Sequence, residues 1–327
     1  MNRMKGGLAA IGAVCALVVV TASAGATPGL RQLHARSSIN IDRYVVGLGS
    51  GAGSLWAAVS DNGMLLRIDP GTGRIRNRIR FATPQNETFA EINDWTTVGD
   101  GFVWVTDQVD GMVLRINPAS NAIVARIPIT SPWDAAVGFG SVWVPQFEPY
   151  QVARIDEQTN KVVATIPATG PTAVAVGAGS VWVVEHRAGK LIRIDPATNQ
   201  VVATIDLHAR SIERILFSNG SVWVSQTLGS PHIFRVDPAT NRFAARISTP
   251  FQAGPYTLRA GGGHVWASTG FGIARIDPHT NQVTAAFVPS QARCKTQVYC
   301  VADAVYAGDS LWVNDAENLR IIRVNPR

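Results

Sequence analysis

The chain has 327 residues, 46% of them apolar and 16% charged, with a formal net charge of +6. That balance belongs to a chain with a large core and excludes a disordered one. The basic residues are mostly arginines spread along the sequence rather than gathered in a stripe, so nucleic acid is not an expected partner.

Residues 1–26 read as a signal peptide. Arg3 and Lys5 provide the positive start, Gly6 to Val20 is apolar, and Ala22-Ser23-Ala24 and Ala24-Gly25-Ala26 offer small residues for cleavage. The apolar run is short of the roughly 20 residues of a membrane span. Cleavage is the first reading and an uncleaved N-terminal anchor the second. Export to the medium or to the cell envelope or periplasm is expected, with no membrane span after signal removal.

From residue 27 to 327 the chain repeats itself. Trp56, Trp104, Trp143, Trp182, Trp223, Trp266 and Trp312 recur in a Gly-x-(Val/Leu)-Trp-like setting. Each is followed by Arg-(Ile/Val)-(Asp/Asn), through Arg67, Arg115, Arg154, Arg193, Arg235, Arg275 and Arg323. A turn such as Ala197-Thr198-Asn199 and an alternating run such as Val201 to Ile205 complete the unit, whose period is about 40 residues. In the fourth unit the strands are expected at Ala173–Val176, Ser180–Val184, Leu191–Asp195 and Gln200–Asp206. β-branched and aromatic residues fill these runs, and Gly or Pro-Ala-Thr-Asn separates them. Four strands per unit of this length predict a propeller blade, and seven units an all-β, seven-bladed β-propeller. The last unit stops at Arg327, one strand short. Leu30 to Ala35 is expected to supply that strand and close the ring, which removes an open sheet edge.

Shared and unshared residues carry different meanings. The seven Arg-x-(Asp/Asn) pairs and their tryptophans are expected to bridge neighbouring blades. Unshared residues collect where first strands start and second strands end, at one mouth of the central channel. The first-strand starts offer Asp94, Trp95, Trp133, Asp134, Thr172, Glu213, Arg214, Tyr256 and Asp303. The second-strand ends offer Val59, Asp107, Gln146, Glu185, Gln226, Thr269 and Asp315. Carboxylates between aromatic walls make this mouth the candidate site for a small molecule or a peptide. Glu185-His186 is the sharpest candidate for general-base chemistry, although neighbours on a strand point to opposite faces. Asp107, Glu185 and Asp315 would suit a hard cation only if they converge, and no metal site is expected from spacing.

The insert Phe81 to Asn93 and the loop Pro289 to Cys300 depart furthest from the repeat and are expected to contact a partner. Cys294 and Cys300, an even pair in an exported chain, suggest a disulfide.

Val176-Gly177-Ala178-Gly179-Ser180-Val181-Trp182-Val183 and Arg193-Ile194-Asp195-Pro196-Ala197-Thr198-Asn199 resemble the YVTN-type propeller repeats of the virginiamycin B lyase (streptogramin lyase) superfamily. The resemblance spans about residues 30–327. For the lyase itself it implies opening of a cyclic depsipeptide by elimination, with Mg2+. The lyase site it implies has histidines in Pro-His-Gly segments at inner-strand starts and a glutamate shortly after the blade tryptophan. Here those starts read Pro132-Trp133, Pro171-Thr172, Ile212-Glu213 and Pro255-Tyr256, and only Glu185 matches the glutamate. The expected function is therefore an exported, non-catalytic binding propeller that takes a ligand, peptide or protein partner at the channel mouth. The alternative is a lyase of the streptogramin type, the one reading that implies a cofactor.

Overall fold

The computed structural model describes residues 30–59, 63–82, 95–227, 232–251, 255–289 and 301–327, with backbone alone at 255, 256 and 302. The expected signal peptide, Asp94, residues 83–93 of the insert, Cys294 and Cys300 lie outside the described residues, as does the side chain of Tyr256.

The described residues form strands and no helix, arranged in seven sheets. Blade 4 shows the plan: Pro171–Gly177, Ser180–Glu185, Lys190–Asp195 and Gln200–Asp206 pair in sequence as an antiparallel meander. The turn residues explain the hairpins. Asp195 Oδ1 accepts the Ala197 amide at 2.8 Å, and Asn199 sits at φ 59°, a left-handed position that asparagine tolerates. The first strands lie side by side from blade to blade, and Val301–Ala307 of blade 7 lies against Val45–Gly51 of blade 1. The ring is closed.

The outer strand of blade 7 is Ala35–Asn40, antiparallel to Arg320–Val324. The expectation that residues 30–35 fill this place is thus shifted by one short segment. Arg31–Gln32 instead adds a parallel edge to Gln282–Phe287 of blade 6. The N-terminal tail therefore ties two blades together.

A belt of repeated contacts holds the ring. The seven tryptophans are 0–1% exposed. In six blades the repeat arginine lies over the tryptophan, at 5.0 Å for Arg193 and Trp182. The same guanidinium reaches the next blade: Arg193 Nη1 donates to Pro238 O at 2.9 Å and to Asn241 Oδ1 at 3.0 Å, while Nε donates to Ser180 Oγ at 2.7 Å. Arg323 Nη1 donates to Gly71 O at 2.6 Å and carries the pattern across the closure. Hydrogen bonds from a charged donor contribute about 1.5–3 kcal/mol each. The arginine thus bridges blades as expected, whereas its Asp partner caps its own turn.

Blade 2 keeps the bridge to its neighbour but alters its inner end: Phe102 replaces the serine, Arg115 stacks on it at 3.6 Å, and Arg115 Nε has no acceptor among the described residues. Across that junction Glu157 stands where other units have proline. Burial, with the negative charge of Asp100 adding to it, pushes the Glu157 carboxyl up to about 7.

Gly177 has a second role besides the hairpin. A Cβ there would lie 2.1 Å from the Phe217 ring of blade 5. It is a hole for a neighbour's side chain, whereas Gly179, at φ 71°, is the turn residue.

Candidate functional site

First strands begin and second strands end at the same mouth, so the loops of blades 3, 4 and 5 meet there. They enclose a cleft of about 260 Å³ lined by Trp133, Phe147, Thr172, His186, Arg187 and Glu213. One wall is aromatic. Trp133 and Phe147 stack at 5.0 Å with 26° between their planes, and Tyr150 meets Phe147 edge-on at 5.6 Å. Arg187 spans this wall, 5.1 Å from the Phe147 centroid and hydrogen-bonded through Nη1 to the Tyr150 hydroxyl at 3.0 Å. Trp133 Nε1 is buried without a hydrogen-bond partner among the described residues. An unpaired buried indole donor costs stability that an acceptor brought by a ligand would recover.

The opposite wall is polar. His186 Nδ1 lies 2.8 Å from the Ile212 carbonyl oxygen. A carbonyl only accepts, so that contact assigns the neutral ring proton to Nδ1 and leaves a lone pair on Nε2. Glu213 Oε2 stands 3.6 Å from the same Nδ1. Thr172 is buried, with its hydroxyl 3.4 Å from Glu213 O.

Glu185 and His186 do not act as a pair. Glu185 turns back to accept the Thr169 amide at 2.6 Å, and His186 finds Glu213 of the next blade. Strand alternation accounts for the separation. The other second-strand ends are also turned into the protein. Asp107 accepts the Asp110 amide at 3.0 Å, Gln146 donates to Thr130 O at 2.7 Å, and Asp315 accepts Arg320 Nε at 2.7 Å. Gln226 is 7% exposed and Val59 and Thr269 are buried. These residues brace the hairpins; the cleft is built from first-strand starts and second-hairpin loops. Asp107, Glu185 and Asp315 do not converge, and among the described residues no three His, Cys, Asp or Glu side chains form a metal site.

Trp95, Asp134, Arg214 and Asp303 lie deeper, in the channel. Asp134 accepts its neighbour's amide at Ala135 (2.8 Å) and the Val174 amide of blade 4 (3.3 Å). Asp303 repeats the contact on Ala304 (2.8 Å) and Leu48 (2.9 Å) and pairs with Arg259 at 2.9 Å. Burial holds the Asp134 carboxyl above the usual range, against the pull of Arg214. Phe147, Tyr150, Arg187 and Arg259 escaped the sequence reading. The departure of Phe147-Glu148-Pro149-Tyr150 from the repeat hairpin, and a lone arginine inside a first strand, were the available signals.

Fold and site together define a seven-bladed β-propeller with an aromatic-walled cleft at one channel mouth. No family model matches the sequence, and no curated protein does either. Among solved structures, a catalytically inactive virginiamycin B lyase from Staphylococcus aureus, solved with quinupristin, superposes with a TM-score of 0.72 at 16% identity, covering 89% of this chain and 99% of that one. A streptogramin B lyase gives 0.72 at 17% identity, covering 88% and 96%. Hydrazine synthase from Kuenenia stuttgartiensis gives 0.70 at 12% identity, covering 88% and 98%. The chain shares the virginiamycin B lyase-like propeller fold with these proteins. Identities this low establish the fold and leave activity open.

Proposed function

We propose that this protein is an exported binding propeller whose mouth cleft holds an aromatic ring bearing a hydrogen-bond acceptor, such as an aromatic residue of a peptide. The observation that carries the reading is the Trp133–Phe147 stack on the cleft wall, with the buried Trp133 Nε1–H unpartnered among the described residues. A cleft of about 260 Å³ is slightly smaller than typical small-molecule sites, about 300–1,000 Å³, and suits one ring of a larger ligand. The signal-like N-terminus supports export. Saturation-transfer NMR with N-acetyltryptophanamide and with quinupristin tests the reading. Binding to the protein and an affinity loss of about tenfold or more in Trp133→Ala, equivalent to about 1.4 kcal/mol, are expected. Equal affinity in the variant would refute it.

The lone pair on His186 Nε2 favours one second reading, proton abstraction in a lyase-type elimination. The imidazole would take the Cα proton, a Cα=Cβ bond would form as the ester Cβ–O bond of a cyclic depsipeptide breaks to release a carboxylate, and with the proton passed on to solvent or to that acid the linear product would be an isomer of equal mass. Incubation with quinupristin and Mg2+, followed by chromatography, tests it. A new isomeric peak that disappears in His186→Ala supports lyase activity, and unchanged substrate excludes it for that depsipeptide.

A further inference from the structure

Blades 2 and 5 are separated around the ring by blades 3 and 4, so side chains from their first strands meet only across the channel axis. Two of them do meet: the Arg214 guanidinium of blade 5 lies 4.1 Å from the Trp95 ring centroid of blade 2. Arg259 of blade 6 lies 5.7 Å from the same ring. One indole therefore carries two guanidiniums inside the channel.

Their partners differ. Arg259 is paired with Asp303. Arg214 is 7% exposed, and its Nε and Nη1 have no hydrogen-bond partner among the described residues. Trp95, also 7% exposed, has an Nε1–H without a partner among the described residues. The nearby Asp134 carboxylate accepts two backbone amides, from Ala135 and Val174. Arginine stays charged at any working pH and has only donors. A buried donor left unpaired costs about 1–3 kcal/mol, more when charged.

We propose that the central channel beneath the mouth cleft is a binding site for one carboxylate, held by the free donors of Arg214 with Trp95 Nε1 beside them and Arg259 adding positive charge. The guanidiniums of Arg214 and Arg259 and the carboxylates of Asp134 and Asp303 balance in charge, so recognition rests on the unpartnered donors of Arg214, and the two carboxylates repel a dianion such as phosphate more strongly than a monoanion. Glu213 and Trp133 line the cleft one residue along the chain from Arg214 and Asp134, so a ligand seated in the cleft has a short path to the same site. The carboxylate has two sources, a free small acid or the acid group of a cleft ligand. The channel site does not require the cleft to be occupied.

Isothermal titration of the protein with acetate and with 4-bromobenzoate, at constant ionic strength, tests this, together with crystals soaked in 4-bromobenzoate and located by bromine anomalous scattering. Binding with a loss of about tenfold or more in Arg214→Gln is expected, and the soaked carboxylate should contact Arg214. If Trp133→Ala weakens 4-bromobenzoate but not acetate, the site serves the acid group of a larger ligand. If it weakens neither, the site serves a free acid. Unchanged binding in Arg214→Gln, or Arg214 donors bonded only to ordered water at saturating 4-bromobenzoate, would overturn the proposal. The soaked wild-type crystal decides the question even if Arg214→Gln fails to fold. Failure of the cleft reading would show instead as an unchanged N-acetyltryptophanamide affinity in Trp133→Ala.

Discussion

The outer belt and the channel mouth of this ring are built by opposite rules. In the belt six of the seven blades repeat one solution, a buried tryptophan under an arginine that reaches the next blade. At the mouth and in the channel each blade differs. The same first-strand level carries Trp95, Asp134, Arg214 and Asp303 in four blades, with Ala173 in a fifth. Repetition closes the ring; variation within a closed ring gives it a chemically distinct site.

The largest effect should come from breaking the belt. Trp182→Ala removes a fully buried indole and the platform for Arg193, and should cost about 3–5 kcal/mol in chemical denaturation. Gly177→Ala places a methyl against Phe217 and should cost about 2 kcal/mol, with Phe217→Ala in the same chain recovering part of the loss. Strictly additive losses in Gly177→Ala and Phe217→Ala would show that the two positions do not press on each other.

The belt's irregular junction should respond to pH. Because the folded protein holds the Glu157 proton up to about 7, this contribution to stability is complete below the ordinary glutamate range. It is lost as pH rises from about 4.5 through 7, an effect of about 1–2 kcal/mol after allowing for solvent near Asp100. Glu157→Gln should flatten that slope in thermal melts taken between pH 5 and about 8. An unchanged slope would assign the pH dependence to another group. The smallest stability effect belongs to the mouth. Trp133→Ala should cost about 1 kcal/mol of stability, the worth of its stack on Phe147, while lowering ligand affinity about tenfold or more, which a matched pair of melts and titrations reads directly.

The same contrast decides what could be read from the sequence. Local patterns repeat, so Gly-x-(Val/Leu)-Trp and Arg-x-(Asp/Asn) revealed the blades, their number and the blade-bridging role of the arginines. Asn199 and its equivalents at left-handed turns were also legible, since turn chemistry is local. The closing strand was misplaced by a few residues, because Arg31–Gln32 pairs with blade 6 and only Ala35–Asn40 completes blade 7. Nothing local distinguishes those two segments. The site was only partly legible. Trp133, Glu213, His186 and Arg214 were singled out, but the pairing of His186 with Glu213 depends on how blades 4 and 5 abut. The meeting of Arg214 and Trp95 depends on residues 119 positions apart facing each other across an axis.

A crystal structure of the protein with N-acetyltryptophanamide tests the division between scaffold and site most directly. The ligand's ring is expected in the cleft beside Trp133 and Arg187, with its carbonyl hydrogen-bonded to Trp133 Nε1 and the belt unchanged. A ring bound elsewhere, or a cleft that stays solvent-filled at saturating ligand, would contradict it.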